Sequence, residues 1–273
     1  MESHIRYIQL NPAQFVVSSF LCLILVGTIL LKLPYSTTNG IAFIDALFTA
    51  TSAVCITGLV VVDTGTCFTF SGQIIIMLLM QSGALGILTF ATYFSYFVKG
   101  GSSYSTQITM SSISNSEKVD DVFKILKRIL YITIGIESVG AICIYFSLNS
   151  ILIPSITDRL FFSAFHAVSA FCNAGFSTLK NGIMETGYVT NYLFQLSLFF
   201  LFFTGSLGFP IVTNLLKYLK HVISSTFLRV IYKKRDVYKP RIMTLNSRIN
   251  LITTFLLTIV GVCFFFISED FGV

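Results

Sequence analysis

The stretch Ser52-Ala53-Val54-Cys55-Ile56-Thr57-Gly58-Leu59 returns 117 residues later as Ser169-Ala170-Phe171-Cys172-Asn173-Ala174-Gly175-Phe176. Ser, Ala, Cys and Gly coincide at four of these eight positions, and upstream Phe48 and Ala50 meet Phe165 and Ala167. Downstream, Gly83-Ala84-Leu85-Gly86 meets Gly205-Ser206-Leu207-Gly208 at an offset of 122. A period above 100 residues points to duplicated membrane units, since solenoid repeats are far shorter.

What surrounds the repeat fits a bilayer. The chain of 273 residues is 54% apolar and 11% charged, against about 25% charged in soluble domains. Runs of about 20 apolar residues, the length that crosses a bilayer, fall at 15–31, 70–98, 129–148, 192–216 and 249–267. The first run is longer than a signal-peptide core and no small-x-small cleavage site follows it, so it reads as a retained span. Six cysteines are scattered singly with no metal or redox spacing. Motifs for zinc proteases, serine hydrolases and P-loops are absent from the sequence, which argues against an enzyme. The net charge of +6 is segregated between apolar spans and forms no basic face of the kind nucleic acid requires.

Each half of the repeat begins in a shorter apolar stretch, 41–56 and 160–172. At 1.5 Å per residue neither crosses a hydrocarbon core of about 30 Å. A short helix that enters and returns is one reading, because irregular backbone at membrane depth is tolerated where protein or a water-filled cavity surrounds it. A helix lying in the outer interface is the other. The charge bias places Arg6, five basic residues in 99–128 and nine in 217–248 on one side if the short segments re-enter; Lys32, Arg159 and Lys180 lie opposite. That arrangement puts the N-terminus in the cytoplasm. In the first basic connection Val122, Ile125, Leu126 and Ile129 share one helical face, as in a helix laid along the inner membrane surface. The second is a positive-inside anchor, or a docking surface for a cytoplasmic partner or anionic lipid.

A dehydrated alkali cation needs its hydration oxygens replaced, and rings of backbone carbonyls do so without fixed charge. Aiming successive carbonyls at one axis demands unusual backbone angles, which glycine accepts. The C-terminal ends of the short helices add partial negative charge. Gly58 and Gly175 stand where such loops need them; the competing explanation is an ordinary C-cap glycine.

The strings TATSAVCITGLVVVDTG, QSGALGILTF, FHAVSAFCNAGFSTL and TGSLGFP resemble the Trk/Ktr/HKT superfamily of potassium transporters, most closely its Ktr ion-translocating type. The resemblance implies an all-α integral membrane fold, potassium-channel-like, built from repeated units of first helix, pore helix and second helix with re-entrant filter loops. It implies backbone-carbonyl filter strands at Ile56, Thr57, Gly58 and Leu59 and at Asn173, Ala174, Gly175 and Phe176. Potassium is then the transported ion, with sodium as a coupling ion and no cofactor in the chain. It further implies a homodimer in the plasma membrane, contacts with lipid, a cytoplasmic nucleotide-binding regulatory subunit, and no nucleic acid. In some plant relatives Ser at the first filter glycine accompanies sodium preference, so Gly58 matches the potassium pattern.

On this reading the chain divides into a first repeat 1–98, a connection 99–128, a second repeat 129–216, a basic connection 217–248, and the first helix of a third repeat, 249–273. Two loops do not close a fourfold ring, so the sequence reads as the N-terminal portion of a translocating subunit. The alternatives are a non-conducting membrane subunit that pairs with a full-length relative, and a transporter of organic solutes; the broken segments are too small and neutral for the latter. Glu137 is the one acid well inside a span, with a structural or a transport role. Asp63 is either a vestibule charge or a turn residue. His166 reads as a hydrogen-bonded packing residue.

Overall fold

The computed structural model describes residues 12–100, 115–148, 153–180, 182–232 and 245–270. Arg6, residues 101–114 of the first basic connection and 233–244 of the second lie outside the described residues. The described chain is helical; one isolated bridge, between Thr37 and Phe68, is its only extended pairing. The chain forms two compact units, Met1–Ser206 and Leu207–Val273.

Within the first unit, α1 (Pro12–Leu31), α2 (Phe43–Val54), the single turn α3 (Thr64–Cys67) and α4 (Phe70–Gly100) precede α5 (Asn115–Ser147), α6 (Ile156–Phe171) and α7 (Tyr192–Ser206). Helices α1, α2 and α4 pack pairwise, and so do α5, α6 and α7. The duplicated sequence therefore folds into two triples of helices, in which the first triple is long, short and long, while in the second α5 is followed by α6 and α7 of nearly equal length, 16 and 15 residues. Their order follows from pattern. Pro12 opens α1, where its missing N–H costs nothing. In α2 the buried residues Ala46, Ala50, Ala53 and Val54 recur at helical spacing and meet α1 and α4. In α6 burial wraps most of the helix: Phe162, Phe165, His166, Ala167, Ser169 and Phe171 are all inside.

Each triple is closed by a glycine of its first helix. A methyl on Gly27 would run into Leu79 of α4, 2.7 Å away. On Gly140 of α5 it would collide with Leu201 of α7, and Leu79 and Leu201 stand 122 residues apart, the offset of the downstream repeat.

The lipid-facing character is visible on α1, where Val17, Leu21, Leu25 and Ile29 form an exposed stripe, Ile29 being 63% exposed. A water-soluble surface does not carry such a stripe. By length and composition, 127–147 and 247–268 are each long and apolar enough to cross a membrane, and Val16–Leu31 and Phe70–Gly86 are shorter apolar helices. The all-helical chain with these apolar surfaces fits an integral membrane protein.

Several expectations change in detail. The short segment expected at 160–172 starts earlier, at Ile156, because Ser155 caps it: the Asp158 N–H donates to the Ser155 hydroxyl at 3.5 Å. The amphipathic stretch before the third span is no separate surface helix; α5 runs from Asn115 to Ser147 without interruption. No Gly or Pro lies between 115 and 134 to stop it. Within the span at 192–216, the sequence Gly205 to Pro210 leads one to expect a break about midway, and the structure has it: α7 ends at Ser206 and α8 (Phe209–Tyr232) follows a left-handed Gly208 (φ +77). In the second unit α8 and α9 (Leu245–Asp270) touch, and the Asn214 side-chain N–H donates to the Ser247 hydroxyl at 2.9 Å.

Candidate functional site

The two matched loops are built the same way. Helix α2 ends at Val54 and α6 at Phe171. Past α2 the Thr57 N–H reaches back to the Ser52 carbonyl (2.9 Å) and the Ile56 N–H to that of Ala53 (3.4 Å). Past α6 the Ala174 N–H bonds the Ser169 carbonyl (2.8 Å) and the Asn173 N–H that of Ala170 (3.0 Å). This double bond pattern is a Schellman ending, whose left-handed residue is usually glycine. Here Ile56 and Asn173 take it, each at φ 58. For a β-branched isoleucine that is a genuine strain, of the kind stored where a loop must hold something. Gly58 (φ +75) and Gly175 (φ +73) come two residues later, so they are not the helix-capping glycines. In both loops a left-handed backbone thus occurs at alternate residues.

The loops also meet. A methyl on Gly58 would lie 2.6 Å from the Ala174 carbonyl oxygen and 3.4 Å from the Gly175 Cα. On Gly175 it would lie 3.5 Å from the Gly58 Cα. All eight expected site residues therefore belong to two loops in backbone contact. Ala174 and Phe176 are buried, whereas Thr57, Leu59, Asn173 and Gly175 are exposed. Behind each loop the last carbonyl of the short helix is seated on a glycine of the next membrane helix, Val54 on Gly83 of α4 and Phe171 on Gly205 of α7. The paired glycines at an offset of 122 exist to admit these carbonyls.

Electrostatically the region suits a cation. Both short helices end here with their partial negative poles, and the sequence holds no Lys or Arg at 33–98 or 160–179. Among the described residues, no three His, Cys, Asp or Glu side chains group as a multivalent-metal site requires.

The second loop is tied down by side chains. Ser169 donates to the Phe176 carbonyl at 2.6 Å. The Ser206 hydroxyl shares its hydrogen between Asn173 Oδ1 (3.1 Å) and the Phe202 carbonyl (2.8 Å). His166 is fully enclosed: its Nδ1–H donates to the Phe162 carbonyl (2.9 Å), which leaves Nε2 to accept from Ser177 (3.0 Å). It stacks 3.9 Å from the Phe162 ring, which makes it the hydrogen-bonded packing residue its sequence context suggests. In the first loop the corresponding Ser52 hydroxyl is buried without a partner. Only Thr57 there bonds through its side chain, to the Ser52 carbonyl at 3.2 Å.

Asp63 caps α3, its Oδ1 accepting from the N–H and the hydroxyl of Thr66, both at 2.7 Å, so the turn role is filled. The nearby Cys67 thiol is raised from its ordinary value by burial, then by the carboxylates of Asp45 and Asp63, which keeps it protonated and unreactive. The Thr178 carbonyl lies against Gly65, a second contact between segments following the two loops. Sequence reasoning did not find Ile56 and Asn173 as the left-handed helix endings.

The TrkH family, described as Cation transport protein, matches residues 9–268. The chain is similar to the Ktr system potassium uptake protein B of Bacillus subtilis (strain 168), 38% identical over 215 residues, covering 78% of this chain and 47% of that protein. It is also similar to the Potassium/sodium uptake protein NtpJ of Enterococcus hirae, 34% identical over 268 residues, 97% of this chain and 54% of that one. With the Ktr system potassium uptake protein B of Vibrio alginolyticus it shares 31% identity over 256 residues, 94% of this chain and 52% of that protein. The chain spans about half the length of the curated relatives it matches. On the extent of the family match, the chain belongs to the TrkH family of cation transport proteins.

Proposed function

We propose that this chain supplies two filter loops of a potassium uptake transporter in the plasma membrane, with α2 and α6 as pore helices of two re-entrant repeats. The observation that carries the proposal is the contact of the two loops at Gly58 and Ala174, each loop with left-handed backbone at alternate positions. On this reading the backbone oxygens of Ile56, Thr57, Gly58 and Leu59 and of Asn173, Ala174, Gly175 and Phe176 line one axis, that of Phe176 while also accepting from the Ser169 hydroxyl. There they replace the hydration shell of a potassium ion without fixed charge, helped by the two helix C-termini. The strain at Ile56 prepays the ordering that the ion would otherwise have to impose on the first loop. Relatives bear the names potassium uptake and potassium/sodium uptake proteins, which supports potassium as the carried ion and sodium as a coupling or competing one.

In the whole transporter further loops complete the ring, and the subunit works as a homodimer with a cytoplasmic nucleotide-binding regulatory subunit. The N-terminus and both basic connections face the cytoplasm, by the charge bias. The test is potassium-limited growth and rubidium uptake in uptake-deficient bacteria that express this chain alone, or together with the C-terminal half of a relative. Rescue with the added half is expected. Absence of rescue in both arms, with the chain inserted, contradicts the proposal and favours a non-conducting subunit.

A further inference from the structure

Glu137 lies on α5 with 7% of its surface exposed. Its Oε2 accepts from the Gln81 side-chain N–H at 3.2 Å, while its Oε1 is buried without a hydrogen-bond partner. An acid inside a membrane helix is costly, and a half-satisfied one more so; an apolar residue would serve stability better. The observable work of this side chain is to hold the Gln81 amide.

Gln81 in turn reaches the second loop. Its Oε1 accepts from the Cys172 thiol at 3.5 Å, and Cys172 is the C-cap of α6, next to the left-handed Asn173. Facing an ionised Glu137 the amide is held in this orientation: reversed, it would set its carbonyl against the carboxylate and lose the stronger of its two hydrogen bonds. Glu137 therefore fixes which end of Gln81 faces Cys172. The backbone of Gln81 is anchored too, since Gly83, two residues on, seats the Val54 carbonyl. One turn of α4, Gln81 to Gly83, thus meets the ends of both short helices.

The first loop has no such tie. Its equivalent of Cys172, Cys55, is exposed. The position 122 residues after Gln81 is Phe203, which has no amide, and opposite the Asn173–Ser206 contact stand Ile56 and Ala84. The second loop is held by polar side chains of neighbouring helices, whereas the first has the Thr57 hydroxyl on its own short helix.

We propose that Gln81, oriented by Glu137, is a positioning residue for the second loop and sets how strictly that loop discriminates among alkali cations. This rests on the filter reading above. It acts through Cys172: a fixed thiol holds the start of the loop at the angle from which Asn173, Ala174 and Gly175 present their carbonyls. Loss of the tie lets the loop relax around a smaller or more strongly hydrated ion, so selectivity changes before uptake is lost.

The test measures rubidium and sodium uptake, normalised to inserted protein, in cells relying on the transporter that contains this chain. Glu137→Ala, Gln81→Leu and Cys172→Ala are expected to lower the rubidium-to-sodium ratio about fivefold, the factor expected from one lost hydrogen bond. Glu137→Gln retains an acceptor for Gln81 and Cys172→Ser retains a donor, so both are expected to stay close to the parent. If Gln81→Leu does not insert, Cys172→Ala against Cys172→Ser decides by itself. Unchanged ratios in the truncating variants overturn the proposal, as does equal loss in Glu137→Gln and Glu137→Ala. Gly58→Ala in the same assay separates the two levels: if it keeps selective uptake the filter reading falls, and if it alone loses selectivity only the positioning role falls.

Discussion

Gly58→Ala is expected to abolish potassium-selective uptake, while Gly175→Ala retains a measurable fraction of it. Both glycines have left-handed backbone, at φ +75 and φ +73, where an L side chain costs roughly 1–2 kcal/mol. On that ground alone the two substitutions would be alike. They differ in what the methyl meets. At Gly58 it lies 2.6 Å from the Ala174 carbonyl oxygen, closer than carbon and oxygen can approach, so one loop must displace the other. At Gly175 the nearest heavy atom is the Gly58 Cα at 3.5 Å, an ordinary contact. Gly58→Ala therefore adds a backbone displacement to the strain, and it pushes on the carbonyl assigned to the ion. Initial rates of rubidium uptake per inserted molecule decide the matter. Equal loss, or greater loss at Gly175, contradicts the geometry of the loop contact.

Gly83→Leu and Gly205→Leu are expected to prevent stable assembly altogether. Each glycine receives the terminal carbonyl of a short helix, Val54 or Phe171. Overpacking a core costs about 1–3 kcal/mol when side chains can give way, but a carbonyl at a helix end moves only with the helix and with the loop it carries. The expected result is a fall in inserted protein, or a monodisperse detergent peak lost at much lower temperature. Gly135 is the control: nothing lies within 4 Å of a methyl there, and Gly135→Ala is expected to be neutral or to gain up to about 1 kcal/mol from helix propensity. Parent-like stability of Gly83→Leu or Gly205→Leu would mean that the two carbonyl seats do not hold the triples together.

The repeat was the most legible feature of the sequence, because the residues that carry it are constrained by backbone. Glycines at 58, 175, 83 and 205 have no substitute where a carbonyl or a left-handed turn occupies the space of a Cβ, and their spacing survives duplication. The break near Gly208 was legible for the same reason. Hydropathy was less informative at the start of α6, where Asp158 and Arg159 look like a connection. Arg159 is in fact accommodated, donating to the Ile153 carbonyl at 2.8 Å and lying 5.6 Å from the centre of the Tyr145 ring. The Ser155-x-x-Asp158 spacing was the usable helix-start signal.

Other features could not have been read. Isoleucine in a left-handed conformation runs against its propensity, and Ile56 adopts it because two hydrogen bonds at the end of α2 fix the turn. The pairing of Gly27 with Gly140 is hidden because these residues are 113 apart, an offset the rest of the repeat does not share. The Glu137, Gln81 and Cys172 chain joins three helices from two repeats, so no local pattern announces it.

The most direct measurement is rubidium anomalous scattering from crystals of the transporter that contains this chain. Two filter loops on one ion path predict a peak between residues 56–59 and 173–176, within contact of backbone carbonyl oxygens from both loops, that weakens when sodium replaces rubidium. No peak between the loops, with rubidium held instead by side chains elsewhere in the protein, would contradict the assignment of these carbonyls to the ion.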